Sequence, residues 1–447
     1  MEDGDLTKAP ISKLIKWIAF PAAIGFFFNT MYNVTDTFFA GQISSLAQSA
    51  LALSFPVFFI IIALGSGISS ASTALVGHEV GEGNREKAKE YAKQALSFSI
   101  VIGIVIGIIG LLISPWMFKF LGASGGYLEL ALSYMNVMFI GTVFFSTTFT
   151  LNGILNAVGD TKSFRNFLIF GFILNVIFNP ILMFGWLFFP KLGIAGIALA
   201  TILIEVIGAI YLFKKLRKTF LLEDFSVSHL KPVWKDYKDL IAQGLPASFN
   251  MVTVAIGIFV ITYFFAKFGE EAVAAYGIAT RIEQVALLPT IGLNIAALSL
   301  VAQNRGAKKF DRVREAVSKT LKYGMSIMVA GSLLVFFFAE FWMKLFSDHP
   351  EVIRIGSEYL RIACWAFFAF VLLFVYDSVF RGFKKPTVPL IIGIFRQLIF
   401  PIPIFFLIIE KTDWGLRGIF WAILLTVWFF SLVQLMLSKV ILSIPKE

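Results

Sequence analysis

Residues 17–41 read WIAFPAAIGFFFNTMYNVTDTFFAG, an apolar stretch as long as a membrane-spanning helix that nevertheless contains the carboxylate of Asp36. A charged side chain in the middle of such a helix costs about 2.5–3.5 kcal/mol on insertion scales, so it persists where it faces a watery cavity, a partner or a bound cation. Asn29, Tyr32 and Asn33 precede Asp36 by seven, four and three positions and therefore share its helix face. We interpret this helix as the carrier of an ion-coupled transport site.

The composition of the whole chain excludes a soluble domain. Of its 447 residues, 58% are hydrophobic and only 15% are charged, whereas soluble domains contain about 25% charged residues. Twelve apolar runs are each long enough to cross a bilayer, which takes about 20 residues. They lie near 14–38, 48–76, 94–118, 128–156, 166–188, 192–213, 240–266, 272–303, 320–345, 354–380, 387–409 and 414–438. We therefore predict an all-α membrane protein with twelve transmembrane helices.

The positively charged residues predict the orientation of these helices. One alternating set of loops, together with both termini, carries 28 of the 38 Lys and Arg residues, and the opposite loops carry 8. Loops rich in Lys and Arg remain on the cytoplasmic side. We expect a multi-pass protein of the cell membrane with both termini in the cytoplasm. The N-terminal residues lack the features of a cleavable signal peptide, so the first helix is expected to act as the insertion signal.

The two halves of the sequence repeat each other at a spacing near 225 residues. The segment Pro-Ala-Ala at 21–23 corresponds to Pro-Ala-Ser at 246–248, and the basic segment 76–96 corresponds to 301–321. Since six helices per half is an even number, each half starts and ends on the same side of the membrane. The halves are therefore expected to be pseudo-symmetric parallel repeats related by an axis along the membrane normal.

The longest polar stretch, 214–239, divides these two halves. We predict an N-terminal six-helix lobe at 1–213, a cytoplasmic connector with an amphipathic interfacial segment at 214–239, and a C-terminal six-helix lobe at 240–447. Two such bundles that face a shared cleft are a recurrent plan among secondary transporters.

Six short motifs follow one another in an order that is typical of one transporter family. They are Asn33-x-x-Asp36 with Gly41, Gly81-x-Gly83-Asn84, Gly159-Asp160-Thr161-Lys162, Gly193-x-x-Gly196 before Ala200-Thr201, Ile282-Glu283-Gln284 before Pro289, and Arg381-Gly382 before Pro386. In order, spacing and duplication, the chain resembles the multidrug and toxic compound extrusion (MATE) antiporters over nearly its whole length. The resemblance implies a V-shaped pair of six-helix lobes that exports substrates by rocking between outward-facing and inward-facing states.

The resemblance is strongest to the bacterial and archaeal branch, in which the acid of the first helix binds a proton or a sodium ion in the N-terminal lobe. It implies a site for this coupling ion, H⁺ or Na⁺, at Asp36, Asn175, Asn179 and Thr201. It also implies a cavity in the N-terminal lobe that includes Tyr32, Asn33, Tyr134 and Asn152. Pro21 matches the proline at which the first helix bends, so we expect a hinge there.

One position departs from the family pattern. The fifth span of the family carries Asn-x-x-x-Asp-Pro, but here the segment reads Asn175-Val-Ile-Phe-Asn179-Pro180. The two amides share a helix face, either as ligands or as hydrogen bonds between packed helices. An Asn carbonyl can coordinate Na⁺, but it adds no charge and takes up no proton. With one carboxylate instead of two, sodium binding is expected to weaken, and a lone proton site is favoured.

Other charged residues inside the spans allow two interpretations each. Glu205 is either a second proton site or, as we favour, a structural partner of Arg165 or of a nearby basic residue. Arg281, Glu283 and Arg396 form a predicted polar network in the C-terminal lobe. Residues two apart on a helix do not face each other, so we predict that Glu283 pairs with Arg396 rather than with Arg281.

These observations predict a secondary antiporter that exports amphipathic, often cationic, drug-like compounds. The spans lack the HExxH metal motif and the GxxxxGK[ST] phosphate-binding loop, so neither an enzyme nor ATP-driven transport is expected. We expect no cofactor beyond the coupling ion and no nucleic-acid partner, and we expect a monomer in the lipid bilayer. The alternatives are a flippase for lipid-linked precursors, which favours basic groups in the cleft, and a membrane enzyme or scaffold.

Overall fold

The computed structural model describes residues 5–187 and 189–443, and every regular element in these ranges is helical. In chain order the helices are α1 (Ile11–Ile43), α2 (Ser45–Glu82), α3 (Arg85–Phe120), α4 (Gly125–Ile140), α5 (Thr142–Ala157), α6 (Lys162–Phe184), α7 (Ile194–Leu216), α8 (Trp234–Ala266), α9 (Glu270–Gly306), α10 (Phe310–Phe337), α11 (Ala339–Lys344), α12 (Pro350–Ala363), α13 (Ala366–Gly382), α14 (Thr387–Ile394), α15 (Pro401–Lys411) and α16 (Gly415–Leu442). A 3₁₀ turn covers Val227–Leu230, and a π-helical turn, Phe395–Ile399, joins α14 to α15.

Among the described residues, ten helices are individually long and apolar enough to cross a membrane, with α14, the π-helical turn and α15 taken together as one. Two further pairs pass the same test jointly, α4 with α5 bent by 50° and α12 with α13 bent by 54°. If each bent pair is one span, the total is 12. Helices satisfy every backbone hydrogen bond within one segment, as hydrocarbon requires. The predicted all-α fold is confirmed.

The turn between α2 and α3 explains one of the sequence motifs. Gly83 ends α2 in the left-handed conformation at φ 82°, which a residue without a Cβ atom adopts at little cost. Asn84 then begins α3, and its side-chain oxygen accepts a hydrogen bond from the backbone of Lys87 at 3.2 Å. The Gly-Asn pair therefore ends one span and starts the next within two residues.

The contacts group the described chain into two compact units. The first unit contains Asp5 and Ile24–Ser248, and the second contains Leu6–Ala23 and the described residues from Phe249 onward. This grouping differs from the predicted lobes, because α1 and α8 each change unit part-way along. The start of α1 belongs to the second unit since its apolar side chains are buried against α9. These side chains include Ile11, Leu14, Ile15 and Ile18, packed against Leu293, Ala296 and Leu300.

The predicted connector, 214–239, is a packed part of the first unit. Its Leu221 and Leu222 side chains are buried in the apolar core of that unit. Lys87 on α3 forms an ion pair of 2.7 Å with the buried carboxylate of Asp236. Burial of apolar side chains and of a paired carboxylate ties this segment to the helices of the unit.

The helices α1, α6 and α7 approach closely where the first unit places its polar residues. A Cβ atom at Gly171 on α6 would lie 3.2 Å from Ile204 of α7 and 4.0 Å from the ring of Tyr32 on α1. At the start of α7, a Cβ atom at Gly196 would lie 2.7 Å from the backbone of Leu182. Small residues at such contacts let helix backbones come together in membranes.

Candidate cation-binding site

The candidate site is centred on Asp36, which is 6% exposed. The side-chain amides of Asn175 and Asn179 both donate hydrogen bonds to Oδ1 of Asp36, at 2.8 and 2.9 Å. The hydroxyl of Thr201 lies 3.5 Å from the second carboxylate oxygen, Oδ2. Helices α1, α6 and α7 thus each contribute to one group of four side chains, which we call the Asp36 cluster.

The remaining polar atoms of the Asp36 cluster define what it can bind. Nδ2 of Asn179 also donates to Oδ1 of Asn175 at 3.2 Å, whereas Oδ1 of Asn179 is buried and has no hydrogen-bond partner. The hydroxyl of Thr201 donates to the carbonyl of Ile197 at 3.1 Å, so its oxygen retains lone pairs that can accept a hydrogen bond from Asp36 when that carboxyl group is protonated. The cluster therefore offers an unused amide oxygen and an acceptor beside the carboxylate.

Within the described part of the chain, no cationic side chain balances the charge of Asp36. Among the described residues, no Lys or Arg is in salt-bridge distance of its carboxylate, and its polar neighbours are the amides and the hydroxyl of the cluster. A buried carboxylate without a cation is costly, because an interior of low dielectric constant does not replace the hydration of the charge. Binding a proton or a small cation relieves this cost.

The other residues predicted around Asp36 fall into two groups. Tyr32 lies one helical turn before Asp36, and its hydroxyl is buried without a hydrogen-bond partner. Tyr134 on α4 and Asn152 on α5 are also buried, but neither is hydrogen-bonded to Asp36. Asn33 is exposed, and its side chain donates back to the carbonyl of Asn29 at 2.8 Å. Asn33 is not hydrogen-bonded to Asp36, and its place in the cavity of the N-terminal lobe stays a prediction.

Comparison with known proteins identifies the family to which this chain belongs. The model of the MatE family matches residues 21–181 and 246–407, one range in each half of the chain. The chain belongs to the MatE family. MatE proteins are transporters, and this one is accordingly a multi-pass membrane transporter rather than an enzyme.

Three relatives illustrate the range of MatE proteins that the chain is similar to. The FAD transporter of Shewanella oneidensis is 27% identical over 402 residues, which cover 89% of this chain and 88% of the relative. The multidrug export protein MepA of Staphylococcus aureus is 25% identical, with 94% of this chain and 91% of the relative covered. A solved structure of MATE in the bent conformation aligns with a TM-score of 0.90 and 26% identity, over 98% of this chain and 97% of that one.

In this MatE chain, Glu205 on α7 lacks its predicted partner, Arg165. Both guanidinium contacts of Arg165, from Nε at 3.1 Å and Nη2 at 2.7 Å, go to the side-chain oxygen of Asn166. Glu205 has no ion pair among the described residues, and its Oε2 atom is buried without a hydrogen-bond partner. The predicted pair with Arg165 is wrong, because the adjacent amide captures the guanidinium group.

In the second unit of this MatE chain, the contacts of Arg281, Glu283 and Arg396 differ from the predicted polar network. Glu283 accepts a hydrogen bond of 3.5 Å from the hydroxyl of Tyr359, and Arg281 is exposed. Arg396, on the π-helical turn, interacts electrostatically with Asp377 of α13 instead of with Glu283. The predicted Glu283–Arg396 pair is wrong, because a nearer carboxylate attracts the cation.

Asp377 precedes Arg381 by four residues, a spacing that indicates a simple ion pair on one helix face. The structure places Arg381 at 3.8 Å from its Oδ2, and Gln434 of α16 donates to its Oδ1 at 2.5 Å. The sequence already marks Asp377 as a candidate polar site, since an aspartate at the end of the apolar run FAFVLLFVYD is as unusual as the one at position 36.

Proposed function

We propose that this MatE protein is a proton-coupled antiporter of the cell membrane that exports amphipathic, cationic organic compounds and acts as a monomer with both termini in the cytoplasm. Asp36 carries the coupling ion. The observation that supports this proposal is the burial of one carboxylate among three helices, with two amides, one hydroxyl and, in the ranges that the structure describes, no cationic side chain beside it. Such a group exchanges a proton or a cation with its surroundings when the pocket opens and closes.

The hydrogen-bond directions favour a proton over sodium as the coupling ion. Both amides of the Asp36 cluster point N–H groups at the carboxylate, whereas a sodium ion requires oxygen atoms. A proton on Oδ2 of Asp36 finds an acceptor in Thr201, whose own hydroxyl donates to Ile197. Neutral Asp36 thus keeps all of its hydrogen bonds, whereas Na⁺ would find one unused amide oxygen, that of Asn179, beside the carboxylate in the Asp36 cluster.

The charge of the site favours cationic cargo over anionic cargo. The relatives include both a multidrug export protein and an FAD transporter, and FAD carries two phosphates. An anionic cargo near the Asp36 cluster would meet a buried carboxylate rather than Lys or Arg, which is unfavourable. A cation can instead be held by charged Asp36 and released when a proton neutralises it.

The mechanism that we propose links this charge to the shape of α1. Pro21 lies inside α1 and lacks the backbone N–H that an uninterrupted helix needs. Two residues later, between Ala23 and Ile24, the contacts of α1 change from the second unit to the first. Protonation of Asp36 removes the charge that holds the substrate or the straight helix, the helix bends near Pro21, and substrate leaves outward. The relative solved in the bent conformation is consistent with such a bend.

Transport by the purified protein in liposomes, under separate pH and sodium gradients, tests the coupling ion. We expect uptake of a cationic dye that follows the pH gradient, stops when a proton uncoupler is added and is indifferent to sodium. Dye transport that follows the sodium gradient at equal pH would contradict proton coupling. Transport of FAD but of no cationic dye would contradict the proposed cargo.

Replacement of Pro21 by Ala tests the hinge. Alanine restores the backbone N–H, which removes the weak point of the helix, and a straight helix resists bending. We expect proton-driven dye efflux to slow by about tenfold, equivalent to roughly 1.4 kcal/mol in the barrier, with little change in dye affinity. Stopped-flow efflux and equilibrium dye binding measure the two quantities. Pro56→Ala, in the interior of α2, is the matched control. Equal slowing in both variants would refute a specific hinge at Pro21.

A further inference from the structure

A second polar layer lies one helical turn from the Asp36 cluster. On α1, Tyr32 precedes Asp36 by four residues, and on α7, Glu205 follows Thr201 by four. Between them, Gly171 on α6 precedes Asn175 by four, and the ring of Tyr32 lies against it. Residues four apart share a helix face and lie about 6 Å apart along the helix axis. Helices α1, α6 and α7, which meet at the Asp36 cluster, therefore also lie side by side one helical turn away from it.

This layer lies on the cytoplasmic side of the Asp36 cluster in the proposed orientation. Helices α1 and α6 start in the cytoplasm, so their earlier residues, Tyr32 and Gly171, are nearer to it. Helix α7 runs in the opposite direction, so its later residue, Glu205, is nearer to the cytoplasm as well. All three helices thus place the second layer between Asp36 and the cytoplasm.

Like Asp36, Glu205 is a carboxylate with a buried oxygen atom and, among the described residues, no cationic partner. Its Oε2 atom is buried without a hydrogen-bond partner, and its residue is only partly exposed. Thr148, on the neighbouring α5, is its polar contact, and the hydroxyl of Thr148 donates to the backbone carbonyl of Glu205 at 3.4 Å. A structural carboxylate is normally paired with a cation or with several donors. Glu205 has neither among the described residues.

On the described elements packed around Glu205, no cationic side chain pairs with its carboxylate. On α6, Arg165 is bound to Asn166. On α4, Glu129 is exposed, and Tyr134 is buried nearer to Asp36. On α1, Tyr32 lies close enough to interact electrostatically with both Asp36 and Glu205. The neighbours that carry a titratable proton are therefore the Tyr32 phenol and, beyond it, Asp36.

An apolar contact follows on the cytoplasmic side of this layer. The ring of Phe167 on α6 lies directly against Gly208 on α7, where it occupies the space that a Cβ atom would need. Phe167 also packs against the ring of Phe164, at 5.7 Å between ring centroids. This apolar contact lies between Glu205 and the basic cytoplasmic end of α7, on the side from which the proposed orientation brings cytoplasmic water.

We propose that Glu205 is a second proton-binding carboxylate, placed to exchange protons between Asp36 and the cytoplasm through the Tyr32 hydroxyl. In this step the proton leaves the Asp36 carboxyl group and is taken up by the Glu205 carboxylate, so Asp36 becomes charged and Glu205 becomes neutral. Opening of the apolar contact at Phe167 then releases the proton to the cytoplasm. This inference rests on the proposed proton coupling and adds a relay to it.

Infrared difference spectra of the purified protein, recorded across a pH titration, test whether Glu205 binds a proton. Proton binding by a carboxylate produces a carbonyl band of the neutral acid. We expect one component of this band to persist in Asp36→Asn and to be missing from the double variant with Glu205→Gln, while the other carboxylates contribute equally to both spectra. Identical spectra of the single and double variants at every pH would overturn the proposal. This readout does not require transport, so it is independent of the proposed function.

Transport measurements then test the relay itself. In Glu205→Gln, we expect the ratio of proton-driven dye efflux to dye counterflow at equal pH to fall by about tenfold or more, as for loss of a positioned proton-transfer group. Glu205→Asp should recover part of this ratio, and Glu129→Gln, which removes an exposed carboxylate of the same unit, should leave it unchanged. A wild-type ratio in Glu205→Gln would overturn the relay. A normal ratio in Asp36→Asn would instead contradict the proposed function.

Discussion

Asp36→Asn is expected to abolish proton-driven efflux while the protein still folds and reaches the membrane. Asparagine has nearly the same shape as aspartate, and its carbonyl oxygen can accept the hydrogen bonds that Asn175 and Asn179 donate to Oδ1. It cannot take up a proton or carry a negative charge, so the event that we propose to drive the cycle is lost. Efflux should fall by at least about a hundredfold, the scale of removing an essential proton-transfer group.

Resistance to a cationic dye in cells and efflux from liposomes both measure the effect of Asp36→Asn. Thr37→Val is the matched control, because Thr37 follows Asp36 on α1, is exposed, and donates its hydroxyl to the carbonyl of Asn33 on the same helix. We expect this control to retain efflux. Wild-type efflux by Asp36→Asn, at equal expression, would exclude Asp36 as the carrier of the coupling ion.

Gly153→Leu is expected to prevent the first unit from folding. Gly153 lies where α5 presses on α2, and a Cβ atom there would overlap the backbone carbonyl of Ser69. The hydroxyl of Thr73 bridges the two helices at this point, with its oxygen 2.8 Å from the Gly153 carbonyl and 2.9 Å from that of Ser69. A leucine side chain must push the helices apart, which costs about 3 kcal/mol or more.

The yield of monodisperse protein and the thermal midpoint in detergent measure the effect of Gly153→Leu. Gly126→Leu on α4 is the control, because no atom lies within 4 Å of a Cβ atom built at that glycine. We expect the control to purify like the wild type and Gly153→Leu to be lost as aggregate. Equal yields and equal midpoints would show that α2 and α5 tolerate separation, contrary to the close packing described above.

Much of the site can be predicted from the sequence, because a carboxylate inside an apolar span is energetically costly. Asp36 and Glu205 stand out because each interrupts a long apolar run, and such residues are rare unless they face a cavity or a partner. The four-residue spacing of Asn175 and Asn179 likewise places both amides on one helix face before any fold is known. The spacing does not show which helix lies opposite these amides. From the sequence they could therefore be either packing contacts or hydrogen-bond partners of Asp36.

The incorrect predictions share a physical cause. Arg165 binds Asn166 rather than Glu205, and Arg396 interacts with Asp377 rather than with Glu283. Long, flexible cationic side chains reach several acceptors, and which one they meet depends on distances between helices that are far apart in sequence.

The sequence by itself determined that this chain is a twelve-span helical protein with two related halves and one conspicuous acid in its first helix. Hydrophobic length, charge asymmetry and internal repetition are properties of composition and order, and the membrane acts on them directly. The tertiary structure alone decided which polar atoms meet at Asp36, that none of the described Lys and Arg residues pairs with Glu205, and that α1 and α8 each contribute to both compact units. These features depend on close packing between distant segments, which local patterns do not specify.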